Sequence, residues 1–140
     1  MFYHLAMRLA VGGIINVIFH NNIDSSLSLF RQKSFEPRLY KLLRVKKLKK
    51  AMPTFFPETF SIKGRNLEKV ISATCQSEIV HKTIAVLSFA PLGVIPLFGS
   101  AAVFIITSAV AALIDISFAL VQRYNRPRLI AANSRLKEKK

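Results

Sequence analysis

Glu78 and His81 are the residues whose types and spacing most directly suggest chemistry. They stand three positions apart, so on a helix their side chains share one face and can touch. A carboxylate beside an imidazole fixes the tautomer of the ring and raises its basicity, which suits a general base that activates a hydroxyl group. The alternative is a helix end whose polar side chains simply face lipid headgroups.

A second group of polar residues lies between residues 122 and 128. A positive stop after a membrane span needs only Lys and Arg. Interleaved amide and phenol groups add directional donors suited to phosphate or carbonyl oxygens. We expect either such a stop or a substrate-binding cluster, formed by Gln122, Arg123, Tyr124, Asn125, Arg126 and Arg128.

The number and positions of the candidate residues disfavour metal and thiol chemistry. A di-iron helical site needs Glu-x-x-His from two helices, and this chain has one such spacing, so we expect no metal. Cys75 is the single cysteine, which leaves no partner for an intrachain disulfide. It lies six residues before His81 on a neighbouring helix face, so we interpret it as a packing residue.

Charge and hydropathy indicate a small all-α integral membrane protein. The 140 residues carry a net charge of +14 with 51% hydrophobic residues, and the charges are segregated. Residues 83–121 contain one charged residue, Asp115, whereas residues 31–50 contain nine Lys or Arg. Apolar blocks flanked by basic blocks are typical of membrane proteins. A soluble nucleic-acid binder would instead spread its charges around a compact core, so we expect no nucleic-acid partner.

The elements that must position these residues form one membrane domain. We expect an N-terminal span, a basic interfacial helix facing anionic lipid, a helix capped by Asn66 that carries Glu78 and His81, a C-terminal membrane hairpin reversing near Pro96 and Gly99, and a basic tail. Their bounds are 2–20, 31–50, 66–82, 83–121 and 122–140. Pro53 and Pro57 should end the basic helix, and Phe55-Phe56 should anchor the following loop at the interface.

Basic segments face the cytoplasm, which predicts a multi-pass protein of the cell membrane with a cytoplasmic C-terminus. The hairpin then returns the chain to the side it left, so His81 and Gln122 end at the same interface. Arg8 and Asp115 are further charges at membrane depth. They either pair, if the first span packs on the last, or Arg8 extends toward the headgroups.

Three segments together resemble the glycosyl-4,4'-diaponeurosporenoate acyltransferase family, whose members are small membrane enzymes of C30 carotenoid biosynthesis. These segments are FEPRLYKLLRVKKLKKAMP at 35–53, SEIVH at 77–81 and QRYNRPRL at 122–129. The resemblance covers roughly residues 30–130, and the last segment is its most specific part. The chain departs from the family pattern at Lys82, where Trp is usual, and at Leu48 and Lys50 in the basic segment.

The resemblance implies transfer of a fatty acyl group to the sugar hydroxyl of a glycosylated carotenoid acid. Glu78 would orient His81 as general base, and Asn125 would stabilise the oxyanion. Arg123, Arg126 and Arg128 would hold the phosphates of an acyl-CoA-type donor, a co-substrate rather than a cofactor. The alternative hypothesis is a non-catalytic membrane scaffold or interaction protein, in which charge alone matters.

Overall fold

The computed structural model describes residues 2–51 and 66–138, and within these ranges every regular element is helical, which confirms the all-α prediction. The predicted breaks at Pro53 and Pro57 and the Phe55-Phe56 anchor lie outside the described residues. The helices are α1 (Phe2–Phe19), α2 (Glu36–Leu42), α3 (Val45–Ala51), α4 (Leu67–Leu87), α5 (Ile95–Phe98) and α6 (Ala101–Glu138). Single 3₁₀ turns span Ser28–Phe30 and Ala90–Val94.

Helix α4 begins where the sequence predicts. The Asn66 side chain accepts a hydrogen bond from the Glu68 backbone N–H at 3.0 Å, which satisfies one of the free donors of the first turn. The helix then continues past residue 82 to Leu87 without a break. At its end, the Ser88 hydroxyl donates to the Ile84 carbonyl at 2.8 Å.

Helices α4 and α6 form an antiparallel hairpin. Gly99 and Ser100 both have positive φ, at 68° and 43°, and reverse the chain just before α6. The first arm is therefore α4, which begins at Leu67 rather than at residue 83. Residues 83–97 are divided between the end of α4, a 3₁₀ turn and most of α5, because Pro91 and Pro96 lack the backbone N–H that a longer helix would use there.

The basic tail is part of α6. This helix runs 38 residues through Pro127 to Glu138, although proline cannot donate to the carbonyl of Arg123 four residues earlier. At a rise of 1.5 Å per residue its length is about 57 Å, nearly twice the ~30 Å apolar core of a bilayer. The same helix can thus cross a membrane and carry the 122–138 cluster beyond it.

The basic segment 31–50 contains two short helices instead of one. They meet at Arg44, whose φ of 48° breaks the helix. The break lets Val45 become fully buried in a cluster with Tyr40 and Val121 of α6. Part of the apolar side of this segment therefore packs on α6, while its cationic side chains are exposed.

Helix α1 packs beside the hairpin, antiparallel to α4. The Tyr3 hydroxyl donates to the Leu87 carbonyl at 3.0 Å, and Gln76 donates to the Asn16 side chain at 3.1 Å. Two helices in the described ranges, α1 and α6, are long and apolar enough to cross a membrane. Their most apolar 18-residue windows have mean hydropathies of 1.5 and 2.3, and only 11% and 28% of those residues are buried within the protein.

Candidate functional site

The imidazole of His81 is oriented by Asp115. His81 Nδ1 lies 2.9 Å from Asp115 Oδ1, and the other carboxylate oxygen is paired with Arg8. The three residues come from α4, α6 and α1, so the site requires all three helices to be packed together. The His81 ring also stacks on Phe118, with ring centroids 4.8 Å apart and planes 12° from parallel.

This contact sets the hydrogen-bonding role of the ring nitrogen that faces Asp115. An ionised carboxylate only accepts hydrogen bonds, so His81 Nδ1 is the donor to Asp115. The other ring nitrogen, Nε2, makes no hydrogen bond to any residue in the described ranges. The His81 side chain is 22% exposed while Asp115 is fully buried, which leaves a held imidazole that a hydroxyl group can approach.

Glu78 does not orient His81 in the structure. Its carboxylate accepts hydrogen bonds from three cations instead. Arg126 Nη2 lies 2.6 Å from Oε2, Arg123 Nη1 lies 2.8 Å from Oε1, and Lys82 also bonds to Oε1. The expected partnership fails because the i, i+3 neighbour competes with two guanidinium groups that α6 brings to the same carboxylate.

The environment keeps Glu78 ionised. Burial alone would raise the pKa of this carboxyl group, but the hydrogen bond from Lys82 and the charges and hydrogen bonds of Arg126 and Arg123 outweigh it. The net effect is a pKa below the ordinary glutamate value. Glu78 therefore acts as the anionic centre of a structural network that joins α4 to α6.

Arg126 is enclosed by this network. It is 1% exposed. Its Nε and Nη2 both bond to Thr74 at 3.1 Å, its Nη1 bonds to the Phe30 carbonyl at 3.4 Å, and the guanidinium lies 4.9 Å from the centre of the Phe30 ring. A guanidinium held in this way has no surface for a donor phosphate, so the structure does not place Arg126 at a substrate site.

Arg123 joins the same network to the segment before α2. Its Nε donates to Glu36 Oε1 at 2.7 Å, and its two Nη atoms donate to the carbonyls of Leu29 and Arg31 at 2.9 and 2.8 Å. Glu36 is itself buried and accepts a bond from the Tyr40 hydroxyl at 2.8 Å. Arg123 thus fastens the 29–36 segment to the hairpin.

The other predicted site residues lie on different sides of α6. Asn125 accepts a hydrogen bond from Lys49 of α3 at 2.9 Å rather than meeting Glu78 or His81. Arg128 stacks 4.3 Å over the Tyr124 ring and bonds to its hydroxyl at 2.6 Å. Gln122 is half-buried and makes no side-chain hydrogen bond with the described residues. The predicted convergence of Asn125 with the Glu78 and His81 side chains is therefore absent.

The contact of Asp115 with His81 and the contact of Glu36 with Arg123 were not predicted from the sequence, although pairing of Asp115 with Arg8 was one of two expected alternatives. Asp115 is the single charged residue in 83–121 and Glu36 is the single acid in 31–50. An isolated charge in an apolar stretch is itself a signal of function. Within the described ranges, no three or more His, Cys, Asp or Glu side chains cluster closely enough to hold a metal ion.

A known protein family matches most of the residues that form this architecture. The sequence pattern of the glycosyl-4,4'-diaponeurosporenoate acyltransferases matches residues 26–135, a range that contains His81, Asp115 and the Glu78 network and begins after α1. No curated protein and no solved structure matches the chain. With more than half of its residues matched, including the Glu78 network and the His81–Asp115 pair, the chain belongs to the glycosyl-4,4'-diaponeurosporenoate acyltransferase family.

Proposed function

We propose that this protein is a membrane-bound O-acyltransferase that transfers a fatty acyl group to the sugar hydroxyl of a glycosylated carotenoid acid. Family membership supports an acyltransferase of carotenoid biosynthesis. The observation that carries the proposal is the 2.9 Å contact between His81 Nδ1 and Asp115 Oδ1, because it presents the opposite ring nitrogen as a base.

In the proposed mechanism, His81 Nε2 removes the proton from the acceptor hydroxyl as its oxygen attacks the carbonyl carbon of an acyl thioester. The carbon–sulfur bond then breaks, the ester forms, and the proton passes from His81 to the leaving thiolate. Asp115 takes the positioning role that the sequence assigns to Glu78. It holds the tautomer and stabilises the imidazolium that forms.

The membrane setting fits lipophilic substrates. Helix α1 and the first half of α6 expose large apolar side chains that are suited to lipid contact: Leu5, Leu9, Ile14, Val17, Ile106, Val110 and Leu113. Both basic regions, α2–α3 and the end of α6, lie at the same end of the hairpin, since Lys49 reaches Asn125. We propose that this end faces the cytoplasm, in a multi-pass protein of the cell membrane.

The proposal is tested by expressing the chain in cells that make the glycosylated precursor and measuring products by mass spectrometry. The wild-type chain should yield a species heavier by one fatty acyl group, and His81→Ala should abolish it. His20→Asn is the matched control, because His20 is exposed with a φ of 46° that asparagine tolerates. Ester formation by His81→Ala at the wild-type rate would eliminate the base assignment, whereas the absence of the acylated product with the wild-type chain would favour the scaffold hypothesis.

A further inference from the structure

A cleft lies between the hairpin and the segment that Arg123 fastens to it. It has a volume of about 570 Å³ and is bordered by residues 28–40 on one side and by Lys82, Leu120 and Arg123 on the other. This volume is within the range of small-molecule sites. The cleft is separate from the His81–Asp115 contact, although Lys82 directly follows His81 on α4.

The ion-pair network beside this cleft carries an excess of positive charge. Three cations, Lys82, Arg123 and Arg126, surround two carboxylates, Glu78 and Glu36. Three positive and two negative charges leave a net charge of +1. The exposed side chain of Lys33, which also borders the cleft, raises this to +2.

Two cations in the cleft have free hydrogen-bonding capacity. Lys82 is 49% exposed and has one hydrogen-bond partner within the described ranges for its three N–H donors, and Lys33 makes no side-chain contact of this kind there. The exposed Ser28 hydroxyl borders the same cleft and can add a further donor. Phosphate accepts hydrogen bonds and is strongest with charged donors, so this set of donors suits it.

Apolar side chains also line the cleft. Leu29 and Phe35 are 58% and 56% exposed, and Leu39 and Leu120 are partly exposed. Leu120 belongs to the apolar part of α6, so the cleft adjoins the proposed lipid-facing surface. A ligand that satisfies both the cationic and the apolar lining is an amphiphile with a phosphate-bearing head and an acyl chain.

We propose that this cleft binds the phosphate-bearing head of the acyl donor, with Lys33 and Lys82 as its contacts. This proposal rests on the proposed acyl transfer and relocates the donor site from Arg126 and Arg128 to the cleft. Arg123 contributes by holding the cleft wall in place rather than by contacting the phosphate.

The test measures binding, not turnover, of palmitoyl-CoA by the full chain in lipid nanodiscs. Lys33→Gln and Lys82→Gln should each weaken binding about tenfold, the effect of losing one charged hydrogen bond. Lys33→Arg should restore it, and raised salt should weaken wild-type binding. Lys46→Gln is the matched control, because Lys46 is exposed on α3 and does not border the cleft.

The outcomes separate this inference from the proposed function. Since Lys82 contacts Glu78, Lys33→Gln provides a variant that leaves the network intact. Wild-type affinity in both Gln variants would overturn the donor site. So would lysine-dependent binding of phosphatidylglycerol vesicles together with no binding of palmitoyl-CoA. His81→Ala should bind palmitoyl-CoA as the wild type does, so loss of its turnover tests the chemistry alone.

Discussion

Asp115 is the residue on which the proposed chemistry depends most. A carboxylate within an apolar stretch is costly unless it is paired, and here it is fully buried between Arg8 and His81. Arg8 pairs with one carboxylate oxygen and His81 with the other, so a single side chain joins α1, α4 and α6. The pairing also decides an alternative that the sequence leaves open, since Arg8 binds Asp115 rather than extending alone toward the headgroups.

Replacing Asp115 by Asn should lower the rate of ester formation by about 10²- to 10⁴-fold, the usual contribution of a positioned general base. The amide keeps the size of the side chain but no longer stabilises the imidazolium. Rates should be measured with purified protein alongside its unfolding midpoint. Ser117→Ala is the control on the same helix, because the Ser117 hydroxyl bonds only to the Leu113 carbonyl of its own helix. A normal rate in Asp115→Asn would contradict the mechanism.

Glu78→Gln should lower the free energy of unfolding at neutral pH by about 3–5 kcal/mol, because it leaves buried Arg126 without its counterion. The pKa of Glu78 is lower in the folded protein than its ordinary value of 4.5. Its stabilisation is therefore complete above pH 4.5 and is lost as the pH falls through the lower folded value. Denaturant unfolding in detergent should show the difference between the two proteins shrinking in acid.

The matched comparison for Glu78 is Glu68→Gln. Glu68 pairs with Lys137 across the same two helices, but both side chains are more than half exposed, so this change should alter the unfolding free energy little. Equal losses of unfolding free energy in the two variants would show that the buried ion pairs of Glu78 stabilise the protein no more than the exposed Glu68–Lys137 pair does.

At the scale of the elements, the antiparallel packing of α4 and α6 depends on the reversal of the chain at Gly99. Gly99 has φ 68° and ψ −136°, a combination open essentially to glycine. It marks the point at which the chain turns back, so that α6 lies along α4.

Gly99→Ala should cost about 1–3 kcal/mol of unfolding free energy through backbone strain. Gly93→Ala is the control in the same connection. A Cβ at either position would meet nothing within 4 Å, and Gly93 lacks a positive φ, so any difference isolates the backbone conformation. Thermal unfolding monitored by circular dichroism measures both, and equal midpoints would argue against strain at Gly99.

Local signals allowed part of this architecture to be predicted. The Asn66 cap, the reversal at Gly99 and the all-α class follow from residue types and spacing within a few positions. The partners of Glu78 and His81 do not, because they depend on the axial register of α4 against α6, which no local pattern specifies. The break at Arg44 was also missed, since neither glycine nor proline marks it and burial of Val45 favours it.

At the scale of the whole molecule, charge and helix direction point to one orientation. Helix α1 runs antiparallel to α4, so its N-terminus lies near Leu87 at the turn end of the hairpin. The cationic α2–α3 segment and the C-terminal part of α6 lie at the opposite end. This separation predicts a cytoplasmic basic end and an external N-terminus.

Cysteine labelling in membrane vesicles tests the orientation. In a Cys75→Ala background, Ser134→Cys should react with a membrane-impermeant maleimide only in inside-out vesicles, and Phe2→Cys only in right-side-out vesicles. The wild-type chain is the control, since fully buried Cys75 should not react in either. Labelling of Ser134→Cys from the outer face would reverse the proposed topology.

The sharing of Glu78 among distant cations also bears on biogenesis. Lys82 emerges from the ribosome soon after Glu78, but Arg123 and Arg126 follow 45 and 48 residues later. Until then Lys82 is the one cation of the three that the Glu78 carboxylate can reach. We therefore expect the nascent α4 to stay in contact with water while α6 is synthesised. A ribosome-stalled chain ending before Arg123 should therefore leave α4 accessible to protease, and release of the full-length chain should protect it.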